Sequence, residues 1–272
     1  MGSLIRNLKE VYKFRVLIQN LVSRELKARY RGTILGFLWS FINPLLLMTV
    51  YTIVFGFILR PRDPTIGDSP WLYALFLFCG ILPWTWFSSS SIESANTLMI
   101  NGNLIKKILF PAEILPLVNV TSNFIHFCFG LPILLIFMLV LGKPPTVFAL
   151  FLPVVILVQF VFSLGFSLFL SALTVHFRDI KDILANLLTF WFFSTPIIYS
   201  FTSEPIQKYP ILKTVLSLNP MTHIMEGYHY CLFYGSLFHW KKLGVTLLIS
   251  LVFFVIGYAV FDRLRDSFPE EV

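Results

Sequence analysis

The sequence predicts an all-α integral membrane protein: six transmembrane helices, an N-terminal amphipathic interfacial helix, and re-entrant or interfacial helices between spans five and six. Three observations carry this. Of 272 residues, 57% are hydrophobic and 13% charged, and the mean hydropathy is +0.79, far outside the makeup of a soluble domain. The charged residues are clustered, which leaves uncharged runs of the roughly 20 residues that a helix needs to cross a hydrocarbon core of about 30 Å. Those runs are continuously apolar, whereas a transmembrane barrel alternates apolar and polar residues in segments of about 10.

Six runs qualify: residues 34–59, 71–92, 114–142 (interrupted only by His126), 144–175, 183–203 and 243–261. They define a transmembrane domain over 34–262, between a cytoplasmic interface helix in 1–33 and a cytoplasmic tail at 263–272. Basic residues next to spans are retained on the cytoplasmic side. With six spans, the side of the N-terminus holds 14 Lys and Arg against seven opposite, so both termini are expected in the cytoplasm. Lys241 and Lys242 pull mildly the other way. The net charge of +7 needs no nucleic acid to explain it. A charged segment precedes the first long apolar run, so no cleavable signal peptide is expected. Cys79, Cys128 and Cys231 are isolated and suggest packing rather than a disulfide framework or a metal site.

Taken in order, the segment 1–33 repeats Val11, Phe14, Ile18, Leu21 and Val22 near helical spacing, with Arg24, Lys27 and Arg31 on another face. Such a helix lies on the membrane surface, as a positive-inside anchor, as a docking surface for a cytoplasmic partner, or as both. Gly32 gives the freedom to turn into the first span, and Asn43-Pro44 is expected to interrupt that span. Residues 60–70, rich in Pro, Gly and Asp, read as an external turn. The second span is expected to end at Ile92, followed by a cytoplasmic connection through Asn101, Gly102, Asn103, Lys106 and Lys107 that has an apolar side of its own. Residues 141–146 form a tight external hairpin, and 175–183 pack Arg178, Asp179, Lys181 and Asp182 into a short cytoplasmic loop, with Asp179 or Asp182 capping span five. Between spans five and six, 214–225 and 227–240 are too short to cross and suit re-entrant or interfacial segments. Their Tyr, Phe and His fit either a headgroup-level belt or a gate over an exit path.

The chain shows no phosphate loop, no H-E-x-x-H, no C-x-x-C and no G-x-S-x-G. Acidic residues are spread singly through loops and tails, so neither a paired-carboxylate enzyme nor an ion-driven transporter is indicated. His126 is the one ionisable residue expected within a span, as a hydrogen-bonded packing residue or a proton relay. The remaining reading is a pathway protein powered from outside, whose cytoplasmic helix and loops receive a mechanical partner.

At residues 23–58, SRELKARYRGTILGFLWSFINPLLLMTVYTIVFGFI, the pattern R-E-L-K-x-R-Y-[RK]-G-x-x-L-G-x-x-W-x-x-x-x-P is matched from Arg24 to Pro44. With NLIKKILFPAEILP (103–116), FRDIKDI (177–183) and LNPMTHIMEGY (218–228), it makes the chain resemble the membrane subunit of type-2 ABC exporters for bacterial cell-surface polysaccharides, the O-antigen, capsule and teichoic acid permeases. The resemblance implies a non-enzymatic permease in the bacterial inner membrane, present as two copies and joined by two copies of an ABC ATPase subunit that carries the ATP and Mg. The cargo implied is a lipid-linked polysaccharide, most simply O-antigen; teichoic acid, capsule, a drug or a lipid are alternatives. It also assigns ATPase coupling to the N-terminal helix and the loop after span two: Arg24, Glu25, Lys27, Arg31, Asn101, Gly102, Asn103, Lys106 and Lys107, to which the charged loop adds Arg178 and Asp179. No cofactor is implied in this chain itself.

A sugar chain needs hydrogen-bonding groups and flat surfaces along its path rather than an ionic or a wholly aliphatic wall. In span one Gly36, Ser40, Asn43 and Tyr51 fall near one helical face, and in span five Asn186, Phe190, Phe193, Ile197 and Ser200 do the same. These faces are expected to line the path, with Trp39 at its cytoplasmic mouth; helix packing through small and polar residues is the alternative.

Overall fold

The computed structural model describes residues 13–59, 63–106 and 110–272, and every regular element among them is helical. Helix α1 (Arg15–Tyr30) is followed by a turn in which Gly32 and Gly36 take φ of 78° and 49°, left-handed conformations that disfavour any residue with a Cβ. The expected pivot at Gly32 thus has a second at Gly36. A 3-10 turn (Gly36–Leu38) leads into α2 (Trp39–Tyr51), which runs on in π form over Thr52–Leu59. Asn43-Pro44 does not interrupt the helix. Pro44 falls in its second turn, where the missing N–H forfeits only the bond to Ser40 in the first.

Helix α3 (Pro70–Ile100) has 31 residues and is about 46 Å long, well beyond the bilayer core. It does not stop at Ile92 because the serine run stays helical: the Ser90 and Ser91 hydroxyls donate to the Trp86 and Phe87 carbonyls at 2.7 and 2.8 Å, so these polar side chains are satisfied within the helix. Of its most apolar stretch 78% is buried, against 11% for the first span, which makes α3 the central post and α2 an outer element.

Around α3 stand α4 (Gly102–Ile105), α5 (Ile114–Val140), α6 (Leu152–His176, entered through a 3-10 turn at Val147–Phe151) and α7 (Ile180–Phe193). Then come α8 (Glu204–Lys208), α9 (Pro210–Leu218), α10 (Pro220–Tyr228, continued as a π turn at His229–Tyr234), α11 (Trp240–Leu264) and α12 (Phe268–Glu271). Helices α6 and α11 pack so closely that a Cβ on Gly257 would overlap the Gly165 carbonyl, and one on Gly165 would meet the Phe254 backbone at 2.5 Å. Small residues permitting backbone contact are the usual means of joining helices in lipid, where the hydrophobic effect gives little between apolar surfaces.

Among the described residues, five stretches are long and apolar enough to cross a membrane: Trp39–Ile58, Pro70–Ile100, Ile114–Val140, Val147–His176 and Trp240–Glu271. The fifth apolar run of the sequence is α7, whose 14 residues rise only about 21 Å, followed by irregular chain at 194–203. Pro196 removes a donor there and ends the helix. The freed backbone is met from inside the protein: Asn219 Nδ2 donates to the Ser194 carbonyl at 3.1 Å and the Tyr73 hydroxyl to that of Ile198 at 2.5 Å. Irregular backbone at membrane depth is tolerated under that condition. A sixth crossing is compatible with this arrangement as α7 together with the buried turn.

The segment between α7 and α11 divides in two. Helix α9 exposes Ile211, Leu212, Val215 and Leu218, as an interfacial helix does, while α10 is buried from Met221 to Tyr228 against α3, α6 and α11. Tyr228, His229, Cys231 and Phe233 are buried too, so this aromatic stretch is packed core and not a headgroup-level belt.

Candidate functional site

At the end of the bundle that holds the N-terminal helix, α1 buries Leu21 and Val22 against Ile114 and Val118 of α5. Its opposite face leaves Arg24, Lys27 and Arg31 exposed and Glu25 half-buried. Arg24 Nη2 reaches Asn101 Oδ1 at 3.5 Å, which brings together the two segments assigned to coupling. Asn101 is placed for this by donating to the Thr97 carbonyl at 2.9 Å, while its own carbonyl accepts the Leu104 N–H at 2.8 Å and starts α4. Gly102 lies against Val272, Asn103 and Lys106 are exposed, and Lys107 lies outside the described residues, as does Val11 of the amphipathic pattern.

Arg178 and Asp179 form a separate exposed corner before α7. Asp179 occupies the N-cap position but makes no side-chain cap; its carbonyl accepts the Asp182 and Ile183 N–H groups, both at 3.1 Å. The C-terminal segment is docked rather than loose. Phe268 is fully buried, Arg265 lies 3.7 Å from Glu113, and the Ser267 hydroxyl is 3.1 Å from His176 Nε2.

Just above the junction, Arg29 Nη2 donates to Glu93 Oε1 at 2.5 Å and Nη1 to Asn123 Oδ1 at 3.2 Å, while Asn123 Nδ2 donates to Glu93 Oε2 at 2.6 Å. The triangle ties α1, α3 and α5 together through the long continuation of α3. Ending the second span at Ile92 put Glu93 in a loop, and the count of ionisable residues within spans missed it for that reason. The sequence held a signal, since Glu93 is the sole acidic residue between Asp68 and Glu113 and directly follows an apolar run.

Next to the triangle is a cavity of about 400 Å³ lined by Trp39, Ser40 and Asn43 of α2 together with Arg29, Asn123 and His126. Three residues assigned to the path in span one therefore share a concavity. His126 sits on its wall, edge-on to Phe129 at 6.2 Å. Tyr51 lies further along, stacked on Phe55 at 5.8 Å and tilted against Phe192 of α7 at 6.1 Å.

On α7, Leu184, Leu188 and Phe192 are buried, and Asn186, Phe190 and Phe193 are exposed together on the other side. Trp191 anchors the helix, its ring 5.3 Å from Phe87 and 5.5 Å from Phe166. The face expected to run through Ile197 to Ser200 ends at Phe193, where the helix stops. Ile197 and Ser200 turn inward, and the Ser200 hydroxyl lies 3.1 Å from that of Tyr234.

The far end is closed by polar contacts that the sequence did not single out. Asn219 caps α10 by accepting the Met221 N–H at 3.0 Å, accepts from Trp191 Nε1 at 2.9 Å, and donates to Thr195 Oγ1 at 3.0 Å. His229 Nε2 is 3.1 Å from the Phe76 carbonyl, and the two rings stack at 4.0 Å. The buried Glu226 carboxylate is shared by His223 at 3.2 Å and Lys242 at 3.6 Å, so one of the lysines that weighed against the topology has its charge compensated locally. Lys143 lies 4.0 Å over the Phe233 ring, and burial pulls its ammonium below its ordinary range.

Chemically, the arrangement offers a basic platform at one end and a bundle with an exposed aromatic and amide face, but no group of three or more His, Cys, Asp or Glu placed to hold a metal among the described residues. The family model for ABC-2 type transporters matches residues 16–233. The chain is 37% identical over 269 residues to the O-antigen export system permease protein RfbA of Myxococcus xanthus, covering 99% of this chain and 100% of that protein. It is 29% identical over 265 residues to a protein of the same name from Klebsiella pneumoniae, covering 97% and 96%. Identity to the polysialic acid transport protein KpsM of Escherichia coli is 23% over 258 residues, covering 93% and 95%.

Proposed function

This chain belongs to the ABC-2 type transporter family, and from that premise we propose that it is the membrane permease of an exporter moving lipid-linked O-antigen polysaccharide across the bacterial inner membrane. The observation that carries the cargo is the end-to-end similarity to a relative named for O-antigen export. Two copies of the chain assemble with two copies of an ABC ATPase subunit, which binds ATP and Mg and supplies the work; the permease itself catalyses nothing. Both termini face the cytoplasm.

The geometry supports this division of labour. Arg24 and Asn101 join α1 to the loop after α3 in one surface that a cytoplasmic motor can push, with Glu25, Gly102, Asn103 and Lys106 around it. Lys107, Arg178 and Asp179 extend the same assignment. Asn186, Phe190 and Phe193 on α7, with Ser40, Asn43 and Tyr51 on α2 and Trp39 at the mouth, supply the mixed aromatic and polar wall a glycan needs, repeated in the second copy. Ser200 belongs to this path as a fixed hydrogen-bonding group at its closed end.

Reconstitution of the permease with its ATPase in proteoliposomes, loaded on the ATPase side with polyprenyl-linked O-antigen, tests the reading. ATP-dependent appearance of the glycan on the opposite face is expected. Transport of a capsule polymer or of a short-chain lipid in preference to O-antigen overturns the assigned cargo, and glycan movement without the ATPase overturns the division of labour.

A further inference from the structure

Between α1 and α5 lies a groove of about 740 Å³, within the roughly 300–1,000 Å³ range of ligand-sized sites. Its wall is mainly apolar, with Ile18, Val22 and Leu26 from α1 and Ile125 from α5; Gln19, Ser23 and Thr121 are its neutral polar members. Its rim is cationic. Lys27 and Arg31 border it, both exposed, and neither side chain makes a hydrogen bond or ion pair with another described residue. This contrasts with Arg24, which reaches Asn101, and with Arg29, which is paired to Glu93.

The groove has a continuation. From Thr121 and Ile125 the same face of α5 proceeds at helical spacing through Cys128 and Pro132 to Leu135, Ile136 and Leu139, all exposed or half-buried. That stripe starts at the end of α5 beside the basic residues and runs about 27 Å at 1.5 Å per residue, nearly to the end of the helix; its first part, Thr121 to Pro132, covers about 16 Å, the depth of one leaflet. A molecule fitting both parts has a negative head at Lys27 and Arg31 and a hydrocarbon chain lying in the groove and along α5. Apart from Gly36 in the turn before α2, the groove has no lining residue from α2 or α7, so it faces the bilayer rather than the path proposed for the glycan.

We infer that this groove is a binding site for an anionic phospholipid of the cytoplasmic leaflet, its phosphate held by Lys27 and Arg31 and one acyl chain seated between α1 and α5. Basic pockets beside cytoplasmic span ends attract anionic headgroups, and the apolar wall adds burial that a freely diffusing phosphate cannot match. The lipid braces α1 against α5 beside the Leu21 and Val22 contact, Val22 serving both, so two of the cations assigned to coupling are held by the membrane. The site does not depend on which cargo is carried.

The full-length permease, purified from vesicles holding equal phosphatidylglycerol and phosphatidylcholine and released from mild detergent in a mass spectrometer, reports which lipids stay bound. Phosphatidylglycerol is expected to be retained roughly fivefold or more over phosphatidylcholine. Lys27→Gln with Arg31→Gln should abolish that preference, Ile125→Trp should lower total retention by filling the groove with both charges intact, and Lys181→Gln, at an exposed cytoplasmic cation away from the groove, should change neither. Lys27→Arg with Arg31→Lys should restore the preference, which separates lost binding from lost folding. Equal retention of the two lipids by the unaltered chain, or an unchanged preference in the double Gln variant, overturns the inference. Displacement of phosphatidylglycerol by an equimolar polyprenyl diphosphate overturns it as well, since the groove then belongs to the cargo.

Discussion

Arg29 on the interfacial helix and Glu93 on the central post approach to 2.5 Å, with Asn123 bonded to both. The pair is one-third exposed or less, so it gains more than a surface ion pair, and removing either partner strands the other in a poorly solvated place. Arg29→Ala and Glu93→Ala are each expected to lower the unfolding temperature in detergent, and the double variant to lose less than the sum. The coupling energy should fall in the range of about 0.5–3 kcal/mol. Strict additivity in this double-mutant cycle would show that the two side chains act independently.

Gly257 faces Gly165 where a Cβ has no room, whereas Gly244 on the same helix has nothing within 4 Å of an added Cβ. Gly257→Leu should therefore part α6 from α11, with a cost of about 1–3 kcal/mol or loss of folded protein. Gly244→Ala should be neutral or stabilise by up to about 1 kcal/mol through helix propensity. Thermal unfolding of both variants is the check, and equal tolerance would contradict the close approach.

Asn219 links α7, the buried turn and α10 through four hydrogen bonds. Asn219→Ala should cost about 2–3 kcal/mol from the lost bonds and cap. Asn219→Asp keeps the two accepting contacts and should cost less. Protease protection of the 194–203 turn is the direct readout. If the Ala variant is as well protected as the parent, the turn is held by something else.

Cysteine at Asn43, Asn186 or Phe193 should react with water-soluble thiol reagents in a transporting complex, and bulky adducts should block export. Cysteine at Ser40 should react more slowly, through the cavity, and cysteine at Leu188 or Ser200 hardly at all. Cys79 and Cys231 are buried and Cys128 half-buried, so an unaltered chain fixes the background. Uniform silence at Asn43, Asn186 and Phe193 would make those faces packing surfaces.

Reversal of Arg24 to Glu breaks the contact with Asn101, and with correct insertion it should uncouple ATP hydrolysis from transport several-fold. Cysteine at Asn103 should crosslink to the ATPase subunit. Labelling of Asn103 only from the periplasmic side would invert the topology.

Much of the fold was legible because hydrophobic length is a direct physical requirement of a bilayer: the runs at 114–142, 144–175 and 243–261 became α5, α6 and α11 with ends shifted by a few residues. Where local chemistry overrode apolar length, the reading slipped. The serines after Ile92 looked like a loop but satisfy their hydroxyls on the helix they belong to, and Pro196 ended an apolar run that looked like a full span. Position along the chain put Arg24 and Asn101 on the same side of the membrane, but could not say that they meet. The Asn219 contacts to Trp191, Ser194 and Thr195 and the Arg29 triangle were invisible for the same reason, since each joins residues at least 24 positions apart. On α7 the exposed face was found as far as Phe193 and lost where the helix ends.

The uninterrupted length of α3 has a mechanical consequence. One continuous helix carries Asn101 beside the tip that meets α1, Trp86 and Phe87 at its waist, and Phe76, stacked on His229, near the other end; Pro83, beside the waist, removes one bond from its ladder. A tilt of about 5° about the waist of a rod roughly 46 Å long swings each end by about 2 Å in opposite directions. Under the proposed function, a push at the Asn101 end then reaches the Phe76–His229 contact as geometry, with no chain of side-chain rearrangements between them. Flexing at Pro83 would absorb such a stroke, so under the proposed function the stiffness of α3 at that position sets how much of each ATP-driven movement arrives at His229.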